Sequence, residues 1–248
     1  MLYTPKLPEE NINAPKVNFL LEALKLLTSL IMIVVVCYAV LWSISSYLVS
    51  SMSPTTEKRV QIFFKKDLNL VDDNRTTHLQ YMADSLKKCT NLPYDVEVLI
   101  SKNDVANAYA FIGGDIVVTT KMLDTLKSDK ELLFLLGHEL GHFKNRDHLR
   151  QLGTSLIIGF LSIFIGEDYS DILSFSIGLT STKFSQQQEI EADLYGIDMM
   201  MCELNDAKEA TKLFERMQEN SSENHYFSSH PDFKDRIEIM KQKINSLP

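Results

Sequence analysis

Cysteine is scarce in this chain, with three residues in 248. Cys37 lies inside an apolar run, which leaves Cys89 and Cys202 for the rest of the sequence, and neither belongs to a Cys-x-x-Cys or Cys/His spacing. One disulfide between them is allowed but not implied, and burial among apolar side chains is the favoured role of each. We therefore assign no cysteine a part in catalysis.

A basic stripe is also lacking. The formal net charge is -8, and lysines and arginines are scattered among acidic residues. Proteins that follow a phosphate backbone cluster their cations along one face, so nucleic acid is excluded as an expected partner. Internal repeats are absent too, which excludes a repeat array. With 45% hydrophobic and 23% charged residues, the chain suffices for one core plus an anchor.

Charge of either sign is missing from residues 26–56. Within that run, residues 26–49 are long enough at helical rise to cross the hydrocarbon core of a bilayer. A buried core helix rarely runs so far without a charge, and a cleaved signal has a shorter apolar region nearer the N-terminus. The run therefore predicts one transmembrane helix, with Tyr38, Trp42 and Tyr47 toward its C-terminal end. Basic residues on both flanks of the span leave undecided on which side of the membrane the folded domain lies.

The predicted organisation is α+β. We expect an N-terminal tail (1–25), the transmembrane helix (26–49), a polar linker (50–59) and a mainly helical domain (60–248). Helical spacing marks residues 74–89, and strand patterns cover residues 95–101, 108–112 and 116–119. Gly113 and Gly114 between the last two strands predict a hairpin, and the three strands together a small antiparallel sheet.

A second apolar stretch, residues 152–166, is short for a membrane span. We favour a core or membrane-surface hairpin there, and a second crossing stays open. The pattern is helical again from residue 184, and a last helix is predicted at residues 233–244.

The central chemical motif is the sequence HELGH at residues 138–142. It lies in an apolar helix that a capping box at Ser128 and Glu131 opens. Residues four apart face the same way on a helix, so His138 and His142 can reach one metal ion. Glu139 lies about 100° round the helix, where it can reach a water without being a ligand. A catalytic zinc ion with this pair needs one more protein ligand and one open position.

Carboxylates for that third position occur at residues 189–193 (EIEAD), 47 or more residues beyond His142. Glu189 and Asp193 are four apart and share a helix face, whereas Glu191 points elsewhere. This spacing favours Glu189 as the metal ligand. Asp193 would then accept a hydrogen bond from the outer nitrogen of one zinc histidine and fix its tautomer.

Four segments in order resemble the peptidase family that contains the CAAX prenyl protease and the heat-shock membrane protease HtpX. They are the strand and turn at residues 107–114 (NAYAFIGG), HELGH, EIEAD, and the segment from His230 to Arg236 (HPDFKDR). The similarity covers about residues 60–244 and implies a gluzincin-type fold with Glu189 as third ligand. The chain departs from HtpX in showing one sure span rather than several. It also has Gln186 and Gln187 where many relatives carry an arginine.

The chemistry and the resemblance together assign roles. Zinc would polarise the scissile carbonyl, while Glu139 takes a proton from water and passes it to the leaving amine. His230 is a candidate donor to the tetrahedral oxyanion, and its alternative role is a cap before the last helix. Arg236 is expected to pair with Asp193 or another buried carboxylate rather than to touch substrate.

The strand from Asn107 to Ile112 is the expected edge along which an extended peptide adds, with Asn107, Ala108, Tyr109 and Ala110 in contact with substrate. An ordinary sheet strand is the alternative, and both can hold. The sequence thus predicts a membrane-anchored endopeptidase with one zinc ion (Zn2+) per chain, acting on membrane or misfolded proteins in quality control. A zinc-containing, chaperone-like peptide-binding module and an interaction protein without metal are the alternatives. Glu139 favours the enzyme, because a structural zinc site needs no general base.

Overall fold

The computed structural model of the protein describes residues 18–66, 68–154, 184–219, 230 and 233–247. The chain divides into two compact units, residues 1–44 and residues 45–248. Residues 1–17 of the predicted tail lie outside the described residues, and so do residues 155–166 of the second apolar stretch.

The described part of the first unit belongs to helix α1 (Phe19–Ser51), which has no fully buried side chain along its length. In the described part of the chain, α1 is the helix that is long and apolar enough to cross a membrane. The predicted span, residues 26–49, lies within it, and the helix begins seven residues earlier because the mixed residues before the apolar run are helical as well.

The second unit is mainly helical with one small sheet. Its elements are α2 (Pro54–Lys65), α3 (Thr76–Lys87), β1 (Glu97–Ser101), β2 (Ala108–Phe111), β3 (Asp115–Thr119), α4 (Thr120–Thr125), α5 (Asp129–Asn145), α6 (Gln186–Leu204), α7 (Lys212–Glu219) and α8 (Phe233–Asn245). Residues 147–154 are also helical. An α+β class is therefore confirmed at this level.

The segment expected as a linker, residues 50–59, is helical over most of its length. Ser53 caps α2 by accepting a hydrogen bond from the Thr56 amide, and Pro54 stands at the start of the helix. Ser followed by Pro is a strong start for a helix, because the proline has no amide hydrogen to satisfy there. Glu57 of α2 is fully buried, so this helix belongs to the folded unit.

The sheet is mixed, and the expectation of a wholly antiparallel sheet was wrong. The strand order is β1-β3-β2, with β2 antiparallel and β1 parallel to β3. The predicted hairpin between β2 and β3 is present, and Gly113 and Gly114 supply its positive φ angles of 89° and 101°. No tight turn ties β1 to β2, so β1 pairs instead with β3. Every residue of β3 is buried, which suits a central strand.

Helix α5 runs through the main core and has thirteen buried residues in its seventeen. Ser128 caps it as expected, by accepting from the Glu131 amide. The Glu131 side chain does not complete the predicted capping box. Its carboxylate accepts from the Lys127 amide and pairs with Arg216. The helix ends at Arg146, whose φ of 58° is left-handed.

Helices α5 and α6 approach each other closely because small residues line their contact. A methyl group added at Gly141 would lie 2.7 Å from the Ala192 Cα atom, and one at Gly137 would lie 3.1 Å from the Gly196 Cα atom. Carbon atoms in contact are normally about 3.5 Å or more apart, so the crossing leaves no room for a side chain at Gly141 and little at Gly137. The two helices that carry HELGH and EIEAD are thus held backbone to backbone.

Cys89 and Cys202 form a disulfide, with their Cα atoms 6.0 Å apart. The favoured reading of both as buried apolar residues was therefore wrong. Cys89 follows the end of α3 and Cys202 lies near the end of α6, and these two helix ends meet at the surface, where Cys202 is exposed. The pairing joins segments 113 residues apart, a distance that no local pattern encodes.

Candidate metal centre

Four buried side chains converge between α5, α6 and the segment before α8. They are His138, His142, Glu189 and His230, and one ligand atom from each lies within 4.8 Å of all the others. The two histidine Nε2 atoms are 3.2 Å apart. The nearest Glu189 oxygens lie 3.8 Å from His138 Nε2 and 3.6 Å from His142 Nε2.

These distances fit a tetrahedral zinc ion. Ligand bonds of about 2.0–2.1 Å in a tetrahedron put neighbouring ligand atoms about 3.3 Å apart. The three separations among His138, His142 and Glu189 are close to that length, and two imidazoles with one carboxylate are a donor set that zinc accepts. The residues present therefore suit the metal.

Glu189 owes its position to the start of α6. Ser185 and Gln188 form a reciprocal capping box there, so the helix begins at Gln186 and Glu189 lies in its first turn. A carboxylate in the first turn is favoured by the helix dipole. Glu191, which sequence reasoning set aside, is exposed and accepts a hydrogen bond from Asn145.

Each metal-facing histidine is oriented through its outer nitrogen. His138 Nδ1 lies 2.9 Å from Asp193, as the shared helix face suggested, and His142 Nδ1 lies 3.1 Å from Asp147. In both rings Nε2 is left to face the centre. Burial lowers the pKa of His138 to about 4, against the raising effect of Asp193. The ring is therefore neutral at pH 7, the form that binds metal.

Sequence reasoning missed Asp147. It follows Arg146, whose left-handed conformation turns the chain back toward His142. Gln188 donates to Asp147 at 2.6 Å and Arg150 pairs with it at 3.1 Å. The sequence signal that could have identified Asp147 is its position, a carboxylate five residues beyond the second histidine and just after the end of the helix.

Arg236 is fully buried and bridges two carboxylates. Its Nε and Nη2 donate to Asp193 at 2.7 Å and 2.8 Å, and its Nη1 lies 2.6 Å from Glu189 Oε2. Burial alone would raise the pKa of the Glu189 carboxyl group, but His230 and Arg236 outweigh it and lower that pKa. The pKa of Asp193 is lowered in the same way, against burial, by Arg236 and His138. Both groups are thus anionic at neutral pH, and their negative charge favours a cation at this centre.

His230 joins the cluster through Glu189. Its Nδ1 atom lies 2.9 Å and 3.0 Å from the two carboxylate oxygens, so the ring fixes the orientation of that carboxylate. The alternative expectation for His230, a cap before the last helix, depends on residues 231 and 232, which lie outside the described residues.

Glu139 is fully buried beside the cluster. Neither of its oxygens accepts a hydrogen bond of normal geometry from the described residues. Burial raises the pKa of Glu139 to about 7, with His142 opposing and Glu189 adding to the rise, while the Ala110 backbone amide lowers it in part. A carboxyl group with a pKa near 7 is suited to taking and returning a proton at neutral pH.

Strand β2 borders this site from the sheet. It is an edge strand, since β3 is its one neighbour in the described sheet. The Phe111 carbonyl accepts from Gly114 across the hairpin, so the backbone groups of Tyr109 and Phe111 face β3. Those of Ala108 and Ala110 face the other way, because directions alternate along a strand. The Ala110 backbone amide accordingly faces Glu139 and lowers the pKa of its carboxyl group.

Comparison with known proteins agrees with this geometry. The profile of peptidase family M48 matches residues 73–244. The chain is 28% identical over 153 residues to the mitochondrial metalloendopeptidase OMA1 of Arabidopsis thaliana, and this match covers 59% of this chain and 31% of OMA1. It is 27% identical over 172 residues to the metalloprotease LoiP of Escherichia coli strain K12, covering 62% of this chain and 64% of LoiP. The chain thus spans about a third of the first relative and under two thirds of the second. With most of its length matched by the family profile and its buried histidines and carboxylates gathered at one centre, this chain belongs to peptidase family M48, whose members are metal-dependent.

Proposed function

We propose that this chain is a membrane-anchored zinc endopeptidase that hydrolyses peptide bonds of membrane or misfolded proteins. The observation that carries the proposal is the convergence of His138, His142 and Glu189 beside the buried Glu139. Membership of a metallopeptidase family supports the reaction class.

His138, His142 and Glu189 would hold the zinc ion, which when bound supplies Lewis-acid chemistry that polarises a carbonyl and acidifies water. Asp193 and Asp147 keep each imidazole turned with Nε2 inward. His230 and Arg236 hold the carboxylate of Glu189. Such supporting contacts preserve the site between turnovers, because the ligands cannot rotate away.

Glu139 is the proposed general base. Its carboxylate takes a proton from the attacking water and donates it to the leaving amine as the peptide bond breaks. The raised pKa of about 7 suits both steps near neutral pH. His230, inside the cluster, remains the candidate donor to the tetrahedral oxyanion.

Substrate binding is proposed along the edge of β2 that faces away from β3 in the described sheet. The outward backbone groups of Ala108 and Ala110 can pair with an extended peptide, which would place its main chain beside Glu139. Asn107 is buried and its backbone amide donates to the Thr119 hydroxyl oxygen, so it supports the start of this strand. Main-chain pairing of this kind accepts many side chains, as a protease for misfolded proteins requires. Helix α1 is the proposed anchor.

The test is β-casein hydrolysis by the full chain in detergent, with zinc content measured on the same samples. Glu139→Gln keeps the size of the side chain and removes the base, so we expect normal zinc content and activity lower by about 100-fold or more. Glu189→Ala should lose zinc and activity together. Glu191→Gln, on the exposed side of the same motif, is the matched control and should change neither. Unchanged turnover in Glu139→Gln would remove that residue from the mechanism.

A further inference from the structure

Helix α2 presents an unusual face to solvent. Ile62 and Phe63 are 62% and 77% exposed, although both are large apolar side chains. Lys58, Arg59 and Lys66 are exposed beside them. At 100° per residue, all five fall on the same half of the helix. Apolar and basic groups together on one face are typical of helices that lie in a membrane interface.

The opposite face fixes α2 on the folded unit. Glu57 is buried and accepts hydrogen bonds from Tyr94 at 3.0 Å and His148 at 3.1 Å. At the border between the two faces, Lys65 pairs with the buried Asp115 at 3.0 Å. Because these contacts hold the helix by its inner face, Ile62 and Phe63 cannot turn into the core.

The charge of the outer face is of one sign. The three cations there have no acidic residue among them on α2, since the sole glutamate of the helix is Glu57 on the inner face. The chain as a whole has a net charge of -8. A groove of about 400 Å3 adjoins this face, lined in part by Lys58, Arg59, Ile62 and Asp95. The local charge thus complements an anionic surface.

The chain path brings α2 to the end of the apolar helix. Helix α1 ends at Ser51 and α2 begins at Pro54, so the connection spans about 10 Å at most. Arg146 donates to the carbonyls of Ser50 and Met52, which ties this junction to the end of α5. If α1 crosses a bilayer, α2 starts at the level of the headgroups.

We propose that the outer face of α2 lies in the interface of an anionic bilayer. Ile62 and Phe63 enter the boundary between headgroups and acyl chains, and Lys58, Arg59 and Lys66 contact lipid phosphates. This surface holds the second unit against the membrane. The inference rests on the anchoring role proposed for α1, and it is independent of peptidase activity.

The experiment places one tryptophan on this face of the full chain. Trp42 is the sole tryptophan and lies in α1, so the variants carry Trp42→Phe with either Phe63→Trp or, as matched control, Tyr81→Trp. Tyr81 is an aromatic residue of α3 with a similar exposure of 69%. Each variant is placed at one copy per nanodisc. The discs are anionic, of phosphatidylcholine with phosphatidylglycerol, or neutral, of phosphatidylcholine alone, and each kind is made with or without lipids brominated near the headgroup.

We expect bromolipid to remove about half of the emission of the tryptophan at position 63 and to leave that at position 81 unchanged, since interfacial side chains reach about 5–10 Å into the boundary. Adding Lys58→Gln and Arg59→Gln should weaken the quenching at position 63 in the anionic discs, because each lost charge lowers the binding constant of this face for the membrane by about fivefold. In neutral discs the same substitutions should have little effect.

Two results would contradict the proposal in distinguishable ways. A chain that does not enter nanodiscs would overturn the anchor and, with it, this surface. A chain that enters them but shows equal quenching at positions 63 and 81 would overturn the surface alone, and would point to a protein partner for this face. Native folding of each variant is checked by its circular dichroism and zinc content.

Discussion

The packing of α5 against α6 yields a sharp prediction for Gly141→Ala. The added methyl group would lie 2.7 Å from the Ala192 Cα atom, about 0.8 Å closer than a normal carbon contact. Backbone cannot swing aside as a flexible side chain can, so the two helices must separate by a similar distance. Overpacking of this kind costs about 1–3 kcal/mol. Alanine regains about 1 kcal/mol through its higher helix propensity, so the free energy of unfolding should fall by about 1 kcal/mol.

The effect on the metal centre should exceed the effect on the fold. His138 and His142 belong to one helix and Glu189 to the other, so separation of the helices lengthens the distances between them. Metal–ligand distances tolerate about 0.2 Å. A shift several times larger should weaken zinc binding by at least about tenfold. Zinc affinity is measured by competition with a chelating dye, and unfolding by urea in the presence of chelator.

Gly137→Ala is the graded control, because its methyl group would lie 3.1 Å from the Gly196 Cα atom and needs a smaller adjustment. We expect its losses of stability and of zinc affinity to be smaller than those of Gly141→Ala. If Gly141→Ala bound zinc as tightly as the natural chain and unfolded at the same or higher urea concentration, the close helix crossing would not set the geometry of the centre.

Two further substitutions test the supporting contacts. Asp147→Asn removes the charge that orients His142, and zinc affinity should fall by about 10–100-fold with the fold retained, as chelator competition and circular dichroism can measure; unchanged affinity would show that this contact is dispensable. Arg236→Met leaves two buried carboxylates without their cation, and the free energy of unfolding should fall by about 3–5 kcal/mol in urea; a loss under 1 kcal/mol would mean that they are compensated in another way.

Local spacing was enough to predict much of the centre. Four-residue spacing puts His138 with His142 on one face, and Glu189 with Asp193 on another, whatever the rest of the fold does. The turn at Gly113 is equally local, since positive φ is a property of the residue itself. The histidine to Asp193 contact and the β2–β3 hairpin follow from such rules.

The missed features depend on contacts between distant segments. The parallel pairing of β1 with β3 is decided by which strand the core buries on both faces, and alternation within β1 does not encode it. Asp147 reaches His142 because Arg146 adopts a left-handed conformation that few residues other than glycine favour. Glu57 looks like a surface charge in sequence, and its partners Tyr94 and His148 are 37 and 91 residues away.

The bond between Cys89 and Cys202 makes the scaffold sensitive to its chemical surroundings. It encloses the whole sheet and helix α5 in one covalent loop. In the chain-entropy description a loop of this size contributes about 4–5 kcal/mol, a large part of the total stability of a domain. Polypeptide made in a reducing cytosol lacks this closure, whereas polypeptide exposed to an oxidising medium acquires it. Two preparations of one sequence can therefore differ in their free energy of unfolding according to the compartment in which they were produced.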